Sequence, residues 1–163
     1  MLQFGIARPD HVYALRPTAF GLLVHEGLLA CVRIDRGEGS YLDLPGGARD
    51  GDESEPEAVV REFREETGLR VAADVCLTEA AQFVDKSDGR TVNNTGGFWT
   101  LRLLDPTPSG KIEDDHELVW LDPVEALTGL RHEAHAWAVA VWLRSRTSAG
   151  SGERHAPEPV ELS

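Results

Sequence analysis

Apolar runs alternate with short polar segments along the first half of the chain. Residues 19–24 (AFGLLV) and 28–34 (LLACVRI) are separated by His25, Glu26 and Gly27, and this spacing predicts a β-hairpin. Both runs are nearly free of polar residues, which indicates strands that are buried on both faces. Three further strands are predicted at residues 80–84, 97–104 and 117–121. A loop is predicted at residues 36–40 and a polar turn segment at residues 85–96.

Helical spacing is found in two segments. Ser54 followed by Glu57 forms a capping box, Pro56 is tolerated in a first helical turn, and Gly68 is a natural helix stop. The residues that recur at helical spacing toward a core between these ends are Val59, Val60, Phe63 and Thr67. A second helix is predicted from a stripe of period 3.6 that consists of Ala134, Trp137, Ala138, Val141 and Trp142. One helical turn is predicted between these segments, at residues 123–127.

Composition and charge narrow the class of protein. The 163 residues predict a single domain over residues 1–146 and a polar, mobile tail over residues 147–163. The formal net charge of −12 disfavours nucleic acid and anionic membranes as partners, since both need a basic face. Cys31 and Cys76 lie in apolar stretches without CxxC spacing and are expected to be reduced core residues. No signal peptide or apolar run of about 20 residues is present, so a cytoplasmic protein is expected, either a monomer or a homodimer.

Three carboxylates crowd one face of the first predicted helix. Glu62, Glu65 and Glu66 stand at positions i, i+3 and i+4, and like charges at this spacing destabilise a helix by about 0.2–0.5 kcal/mol per pair. Arg61 and Arg64 offset only part of this cost. A divalent cation explains the crowding, because Mg²⁺ and Mn²⁺ take hard oxygen ligands and keep waters for a substrate phosphate. The pattern therefore predicts a metal site, although a Glu-rich helix taken alone is typical of a solvated surface.

The segment from Gly47 to Leu69 resembles the Nudix box, G-x5-E-x7-R-E-U-x-E-E-x-G-U, in which U is an apolar residue. Every fixed position matches, and Phe63 is the one mild departure because an aliphatic residue is commoner there. The resemblance implies an α/β fold, the Nudix-type α/β/α sandwich with a mixed β-sheet between helices. It also implies a metal-dependent hydrolase that cleaves a pyrophosphate bond in a nucleoside diphosphate linked to another moiety, X.

The resemblance also implies roles for individual residues. Three glutamates would be ligands of Mg²⁺ or Mn²⁺, with the last two the most important: Glu62, Glu65 and Glu66. The carbonyl of Gly46 would be a further ligand, which accounts for a residue without Cβ at this position. Arg61 would orient the glutamates through charge-assisted hydrogen bonds. Glu53, at the junction of loop and helix, would assist the metal or orient a water.

The general base and the substrate contacts are less clearly indicated. Members of the family differ over the base, and here an acidic segment offers four candidates outside the box: Glu113, Asp114, Asp115 and Glu117. A solvated acidic loop explains any one of these acids equally well. Arg33 is a candidate for a phosphate contact, whereas Gln82, Asn93 and Asn94 are candidates for contacts with X. A turn before a strand explains the asparagines equally well.

The sequence does not identify X, because no signature of a particular subfamily is found outside the box. A nucleoside triphosphate or an oxidised nucleotide is compatible with a short single domain. A nucleotide sensor without catalysis is the main alternative, but such proteins usually lack one of the box glutamates. An isopentenyl diphosphate isomerase needs a catalytic cysteine with metal ligands upstream, which Cys31 lacks. His132 and His135 are three residues apart, so they do not fit an HExxH metal motif, and a polar helix start explains them better.

Overall fold

The computed structural model describes residues 1–150, with side chains described as far as residue 146. The elements are β1 (Leu2–Phe4), β2 (Ala14–His25), β3 (Leu28–Asp35), β4 (Ser40–Asp43), β5 (Gly46–Ala48), α1 (Glu55–Thr67), β6 (Arg70–Asp85), β7 (Thr91–Asp105), β8 (His116–Leu121), α2 (Pro123–Gly129) and α3 (Glu133–Gly150). Within the described residues, no helix is both long and apolar enough to cross a membrane.

The strands form one mixed sheet in the order β1-β6-β7-β2-β3-β4, with β5 paired to β2 and β8 paired to β3. The β1–β6 and β2–β7 pairs are parallel, and the other pairs are antiparallel. The predicted hairpin is present, but β2 and β3 pair only beside their turn, at Val24–Leu29 and His25–Leu28. Beyond the turn, β2 joins β7 and β5 whereas β3 joins β4 and β8.

Alternation along β2 divides the core between the two faces of the sheet. Ala19 and Leu23 pack with residues of α1, whereas Phe20 and Leu22 pack with residues of α3. Phe98 joins the α3 side and Trp99 the α1 side, as expected for neighbours in one strand. The two apolar faces explain why the runs that became β2 and β3 contain so few polar residues. The α/β/α arrangement with a mixed sheet is confirmed.

The polar segment 85–96 was predicted to be a turn, and this prediction is wrong for most of it. The turn is confined to residues 86–90, and β7 begins at Thr91. Asn93 and Asn94 lie between β6 and β2, so their backbone groups are paired on both sides. Strand pairing over long sequence distances therefore overrides the weak strand propensity of asparagine.

Three smaller expectations also need comment. Cys31 is buried as predicted, but Cys76 is exposed because it lies in the solvent-facing part of β6. The buried stripe of α3 includes His135 and Val139 beside Ala134 and Ala138, whereas Trp137 is partly exposed. Helix α3 continues to Gly150, so it includes the first residues of the segment predicted as a mobile tail. The rest of that segment, 151–163, lies outside the described residues.

Candidate metal and active site

Helix α1 carries the glutamates, and its ends are fixed as the sequence predicts. The Ser54 side chain accepts a hydrogen bond from the Glu57 N–H at 3.3 Å, and the Glu57 carboxylate accepts one from the Ser54 N–H at 2.7 Å. At the other end Gly68 adopts a left-handed conformation, with φ 76°, and donates its N–H to Arg64 at 2.9 Å. The capping box and the glycine stop set the register that places Glu62, Glu65 and Glu66 on the helix.

These glutamates do not form a solvated face, because β5 covers them. Glu62 is 9% exposed and Glu66 is 4% exposed, while Glu65 is half-buried. The approach of β5 is close: a Cβ on Gly47 would lie 2.8 Å from Oε1 of Glu62. The expectation that the glutamates lie away from the apolar side of the helix is therefore corrected, since two of them are in the interior.

Burial has a marked effect on the protonation of these carboxyl groups. Burial raises the pKa of Glu62, although Arg61 partly offsets this rise. The pKa of Glu66 is raised well above its ordinary value, first by burial and then by the nearby charges of Glu62 and Glu113. Oε2 of Glu66 is also buried without any hydrogen-bond partner. An acceptor in this condition is costly to bury, and a cation at this oxygen would remove the cost.

The Gly46 backbone lies beside Glu66. Its hydrogen bonding partly lowers the pKa of that carboxyl group, against the effect of burial. Gly46 has φ 143°, and a Cβ at this position would collide with the backbone of Ala19 and Phe20. Glycine is therefore required here for steric reasons, whereas the expected role of its carbonyl as a metal ligand stays a prediction. The arrangement provides carboxylate oxygens next to a backbone segment, which is a donor set that suits Mg²⁺ or Mn²⁺.

Arg61 connects the carboxylates of the box with the preceding loop. Its guanidinium lies close to four carboxylates, those of Asp50 (3.4 Å), Glu53 (2.6 Å), Glu62 (3.2 Å) and Glu65 (3.1 Å). It also donates to the Ala48 carbonyl at 2.9 Å. The Glu53 carboxylate accepts from both Nε and Nη2 of Arg61 and from the Asp50 N–H. These hydrogen bonds lower the pKa of Glu53 and raise that of Arg61.

A loop between β7 and β8 adds a fourth glutamate to the site. Three N–H groups of this loop, those of Ser109, Ile112 and Glu113, donate to carbonyls at the C-terminal end of α1. Terminal carbonyls of a helix lack partners within the helix, so the loop satisfies them. The ligand oxygens of Glu113, Glu62 and Glu65 then lie within 4.8 Å of one another.

The other acids of the predicted base segment lie elsewhere. Asp114, Asp115 and Glu117 line a cavity of about 390 Å³ together with Arg33. Glu117 is 3.8 Å from the Arg33 guanidinium. Of the four candidates, the structure brings only Glu113 together with the carboxylates of the box.

His116 links the two groups of acids. Its Nδ1 is 3.0 Å from Oε2 of Glu113 and 2.8 Å from Oδ1 of Asp115. His116 is buried at the start of β8, so its ring gives the Glu113 loop a fixed contact. An ionised carboxylate only accepts hydrogen bonds, and this geometry therefore places the proton on Nδ1.

The residues predicted to contact X have different surroundings. Gln82 is buried, and its amide accepts from the Ala134 N–H at 3.0 Å and donates to the Phe83 carbonyl at 3.2 Å. It thereby caps the first turn of α3. Asn94 accepts a hydrogen bond from Nη1 of Arg16 at 3.0 Å, whereas Asn93 exchanges hydrogen bonds with Gln3.

Sequence reasoning missed Arg16 and the structural role of His135. Nδ1 of His135 accepts the Leu44 N–H at 3.1 Å, two residues before Gly46. Complete burial lowers the pKa of His135 to about 3, so the ring is neutral. A polar residue inside the apolar stripe of α3 was the available signal for His135. No local pattern marked Arg16, because its importance depends on strand pairing.

Comparisons with known proteins agree with this fold and site. The model of the NUDIX domain matches residues 14–143. The chain therefore belongs to the NUDIX family, and the prediction of a Nudix hydrolase is confirmed at the level of the family. Members of this class use divalent metals, and the acidic cluster on α1 could bind one.

Solved structures with the same fold come from several organisms. A NUDIX hydrolase from Nitrosomonas europaea is 19% identical with a TM-score of 0.62, and the match covers 91% of this chain and 97% of that one. An ADP-ribose pyrophosphatase from Streptococcus suis is 24% identical with a TM-score of 0.59, over 80% and 91% of the two chains. The MutT protein from Methanosarcina mazei Go1 is 21% identical with a TM-score of 0.59, over 84% and 99%. A comparison with curated proteins gave no match.

Proposed function

We propose that this protein is a metal-dependent hydrolase that cleaves a pyrophosphate bond in a nucleoside diphosphate linked to another moiety, X. The observation that carries the proposal is the buried carboxylate of Glu66, whose Oε2 has no hydrogen-bond partner while Glu62 and Glu113 lie near it. Such a group is unfavourable in a metal-free protein. It becomes favourable when a divalent cation neutralises the cluster.

The ligands of Mg²⁺ or Mn²⁺ would be the carboxylates of Glu62, Glu65 and Glu66 and the carbonyl of Gly46. A bound divalent ion supplies charge neutralisation at the phosphate oxygens and lowers the pKa of a coordinated water. The complete set of box glutamates favours catalysis over the alternative, a nucleotide sensor, because binding alone does not need every one of them.

Arg61 and Glu53 would position the ligands rather than exchange protons. Arg61 lies between the carboxylates of the helix and strand β5, which carries Gly47 and Ala48, so it keeps their spacing when no substrate is bound. Glu53 is a weak candidate for the base, because its two hydrogen bonds from Arg61 lower its pKa and occupy both oxygens.

Glu113 is the base that the geometry favours. It lies on a loop outside the helix, beside Glu62 and Glu65, and Nδ1 of His116 is 3.0 Å from its carboxylate. In this position it can take the proton of a water that attacks phosphorus. The P–O bond to the leaving phosphate then breaks, and the leaving group departs with its negative charge.

The substrate would be a small nucleotide, such as a nucleoside triphosphate, an oxidised nucleotide or a nucleoside diphosphate sugar. Two proteins of the same fold are an ADP-ribose pyrophosphatase and a MutT protein, which supports this range without choosing within it. Arg33 remains a candidate for a phosphate contact, although its guanidinium is 3.8 Å from Glu117.

The test is release of phosphate from a panel of nucleotides, with phosphatase added after the reaction. Turnover is expected with Mg²⁺ or Mn²⁺ and should disappear with a chelator. Glu66→Gln should lower kcat by two or more orders of magnitude, while Glu125→Gln, a change on the exposed side of α2, should leave it unaltered. If the wild-type protein binds metal but hydrolyses none of the nucleotides, the alternative of a nucleotide sensor without catalysis would be favoured instead.

A further inference from the structure

A short connection leads from β4 to β5 and ends at Gly46, whose carbonyl is a candidate metal ligand. Leu44 and Pro45 in this connection are almost completely buried. The Leu44 N–H follows the last residue of β4 and lies outside the strand pairs, and a buried N–H of this kind needs a partner. It donates to Nδ1 of His135 on α3 at 3.1 Å. The position of the connection therefore depends on a side chain of helix α3.

The His135 ring is held in place by its surroundings. It is 2% exposed, and its centroid lies 4.4 Å from that of the Phe20 ring and 5.6 Å from that of the Phe98 ring. Burial lowers the pKa of His135 to about 3, so the ring is neutral, and the hydrogen bond from Leu44 places its proton on Nε2. An apolar residue of similar size would suit these surroundings, so the property that histidine adds is a fixed acceptor.

Arg131, two residues before α3, holds the end of β4. Its N–H donates to the Leu42 carbonyl at 2.8 Å, and its guanidinium pairs with the Asp43 carboxylate at 2.5 Å. The next residue, Leu44, is bound by His135. Three consecutive residues are therefore anchored at the start of α3, and the last anchor lies two residues before the candidate ligand.

A displacement of this connection would reach the carboxylates of α1. The Gly46 backbone is hydrogen-bonded to the Glu66 carboxyl group, and a Cβ on the residue after Gly46 would lie 2.8 Å from Oε1 of Glu62. Only Pro45 stands between the anchor and Gly46, and its ring fixes φ. The chain therefore has little freedom to absorb a displacement before it enters the site.

We propose that His135 is a positioning residue of the metal site, which holds the Gly46 carbonyl in place through the hydrogen bond from the Leu44 N–H. This inference rests on the proposed function, because it needs that carbonyl and the carboxylates of α1 to be ligands of Mg²⁺ or Mn²⁺. Residues that orient metal ligands change the metal affinity about 10–100-fold when they are replaced. His135 acts through the chain, from the α3 side of the sheet, without touching the cation.

Three variants separate the hydrogen bond from packing. His135→Leu removes the acceptor, whereas His135→Asn keeps one, because Oδ1 of asparagine is as many bonds from the backbone as Nδ1 of histidine. Val139→Ala is the matched control, since it opens a cavity in the same core and leaves the Leu44 hydrogen bond in place. The measurement is the Kd of Mn²⁺ by titration calorimetry on the substrate-free protein, and urea unfolding reports stability.

The Kd of Mn²⁺ should rise about tenfold or more in His135→Leu and stay within about threefold of the wild-type value in His135→Asn. Val139→Ala should lose stability with an unchanged Kd. An unchanged Kd in His135→Leu, or an equal rise in His135→Asn or Val139→Ala, would overturn the inference. A wild-type protein that binds Mn²⁺ but hydrolyses no nucleotide would refute the proposed function alone, because the Kd comparison does not depend on turnover.

Amide hydrogen exchange tests the inference in the unaltered protein, so the result does not depend on whether His135→Leu folds. Coupling between two sites is reciprocal, so saturating Mg²⁺ must strengthen the Leu44 hydrogen bond by the factor by which this bond strengthens metal binding. Exchange of the Leu44 N–H should slow about tenfold more than exchange of the Leu130 N–H, which donates to the Ala126 carbonyl at the end of α2. Equal slowing of the two amides would contradict the inference.

Discussion

At the scale of single residues, the central feature is a carboxyl group whose surroundings oppose its charge. Glu66 lies in the interior, with Oε2 unpartnered and with the carboxylates of Glu62 and Glu113 near it. Burial together with these like charges raises its pKa. Such an arrangement costs stability in the metal-free protein and is typical of sites that bind a cation.

The first consequence concerns the metal-free protein. Because the folded-state pKa of Glu66 is raised, the folded state holds more protons than the unfolded state above the ordinary pKa of 4.5. Stability should therefore fall as the pH rises from this value through the folded-state pKa. Glu66→Gln removes this ionisation, so the variant should be more stable than the wild type at pH 8. The difference in the free energy of unfolding between the two proteins should be smaller at pH 5.

Urea unfolding in the presence of a chelator measures this difference, with Glu125→Gln as the exposed control, which should gain no stability because its charge lies favourably in the first turn of α2. Glu62, Glu113 and Arg61 also face the site and are present in both proteins, and part of the gain comes from the removal of repulsion between Glu66 and Glu62. A Glu66→Gln variant that is less stable than the wild type at pH 8 would show that the carboxylate has a favourable partner without metal.

At the scale of elements, the site depends on how α1 ends. Gly68 stops the helix in a left-handed conformation, and its carbonyl accepts the Ser109 N–H at 2.7 Å. The same loop carries Glu113 to the site, four residues further along. The end of the helix therefore fixes both the stability of α1 and the position of the candidate base.

Gly68→Ala tests this connection. A Cβ at position 68 would suffer the cost of a left-handed conformation, about 1–2 kcal/mol, and would also lie 3.0 Å from the Ser109 nitrogen. Gly27→Ala is a matched control, because Gly27 has φ 79° but nothing within 4 Å of a built Cβ. In urea unfolding, Gly68→Ala should lose more stability than Gly27→Ala, and it alone should also lower kcat. Similar losses for the two variants, with kcat unchanged in both, would separate the loop from catalysis.

At the scale of the whole molecule, the sequence was informative wherever the determinants are local. The ends of α1 follow from Ser54, Glu57 and Gly68, and the hairpin follows from two apolar runs around a short turn. The spacing of the box glutamates likewise predicts that all three lie on one helix, whereas their roles as ligands come from the resemblance to the family. Local signals of this kind do not depend on the rest of the chain.

The remaining features depend on strands that pair across long sequence distances, so they could not be predicted from the local sequence. Asn93 and Asn94 belong to a strand because β2 and β6 pair with β7 on its two sides. Arg16 is prominent only because its strand is in register with Asn94. Cys76 is exposed because it lies in the solvent-facing middle of β6, where the register with β7 shifts. The choice of Glu113 among four acids required the contacts of its loop with α1.

The central claim is that a divalent cation binds at the carboxylates of α1. The structure contains a second acidic group, formed by Glu113, Asp115 and His116, which also has oxygen and nitrogen atoms close together. The most direct measurement is an anomalous difference map from a crystal soaked in Mn²⁺. The account predicts a peak within coordination distance of Glu66 and the Gly46 carbonyl, and the loss of that peak in Glu66→Gln. A peak confined to Asp115 and His116, or a map without a peak in a crystal of active protein, would contradict it.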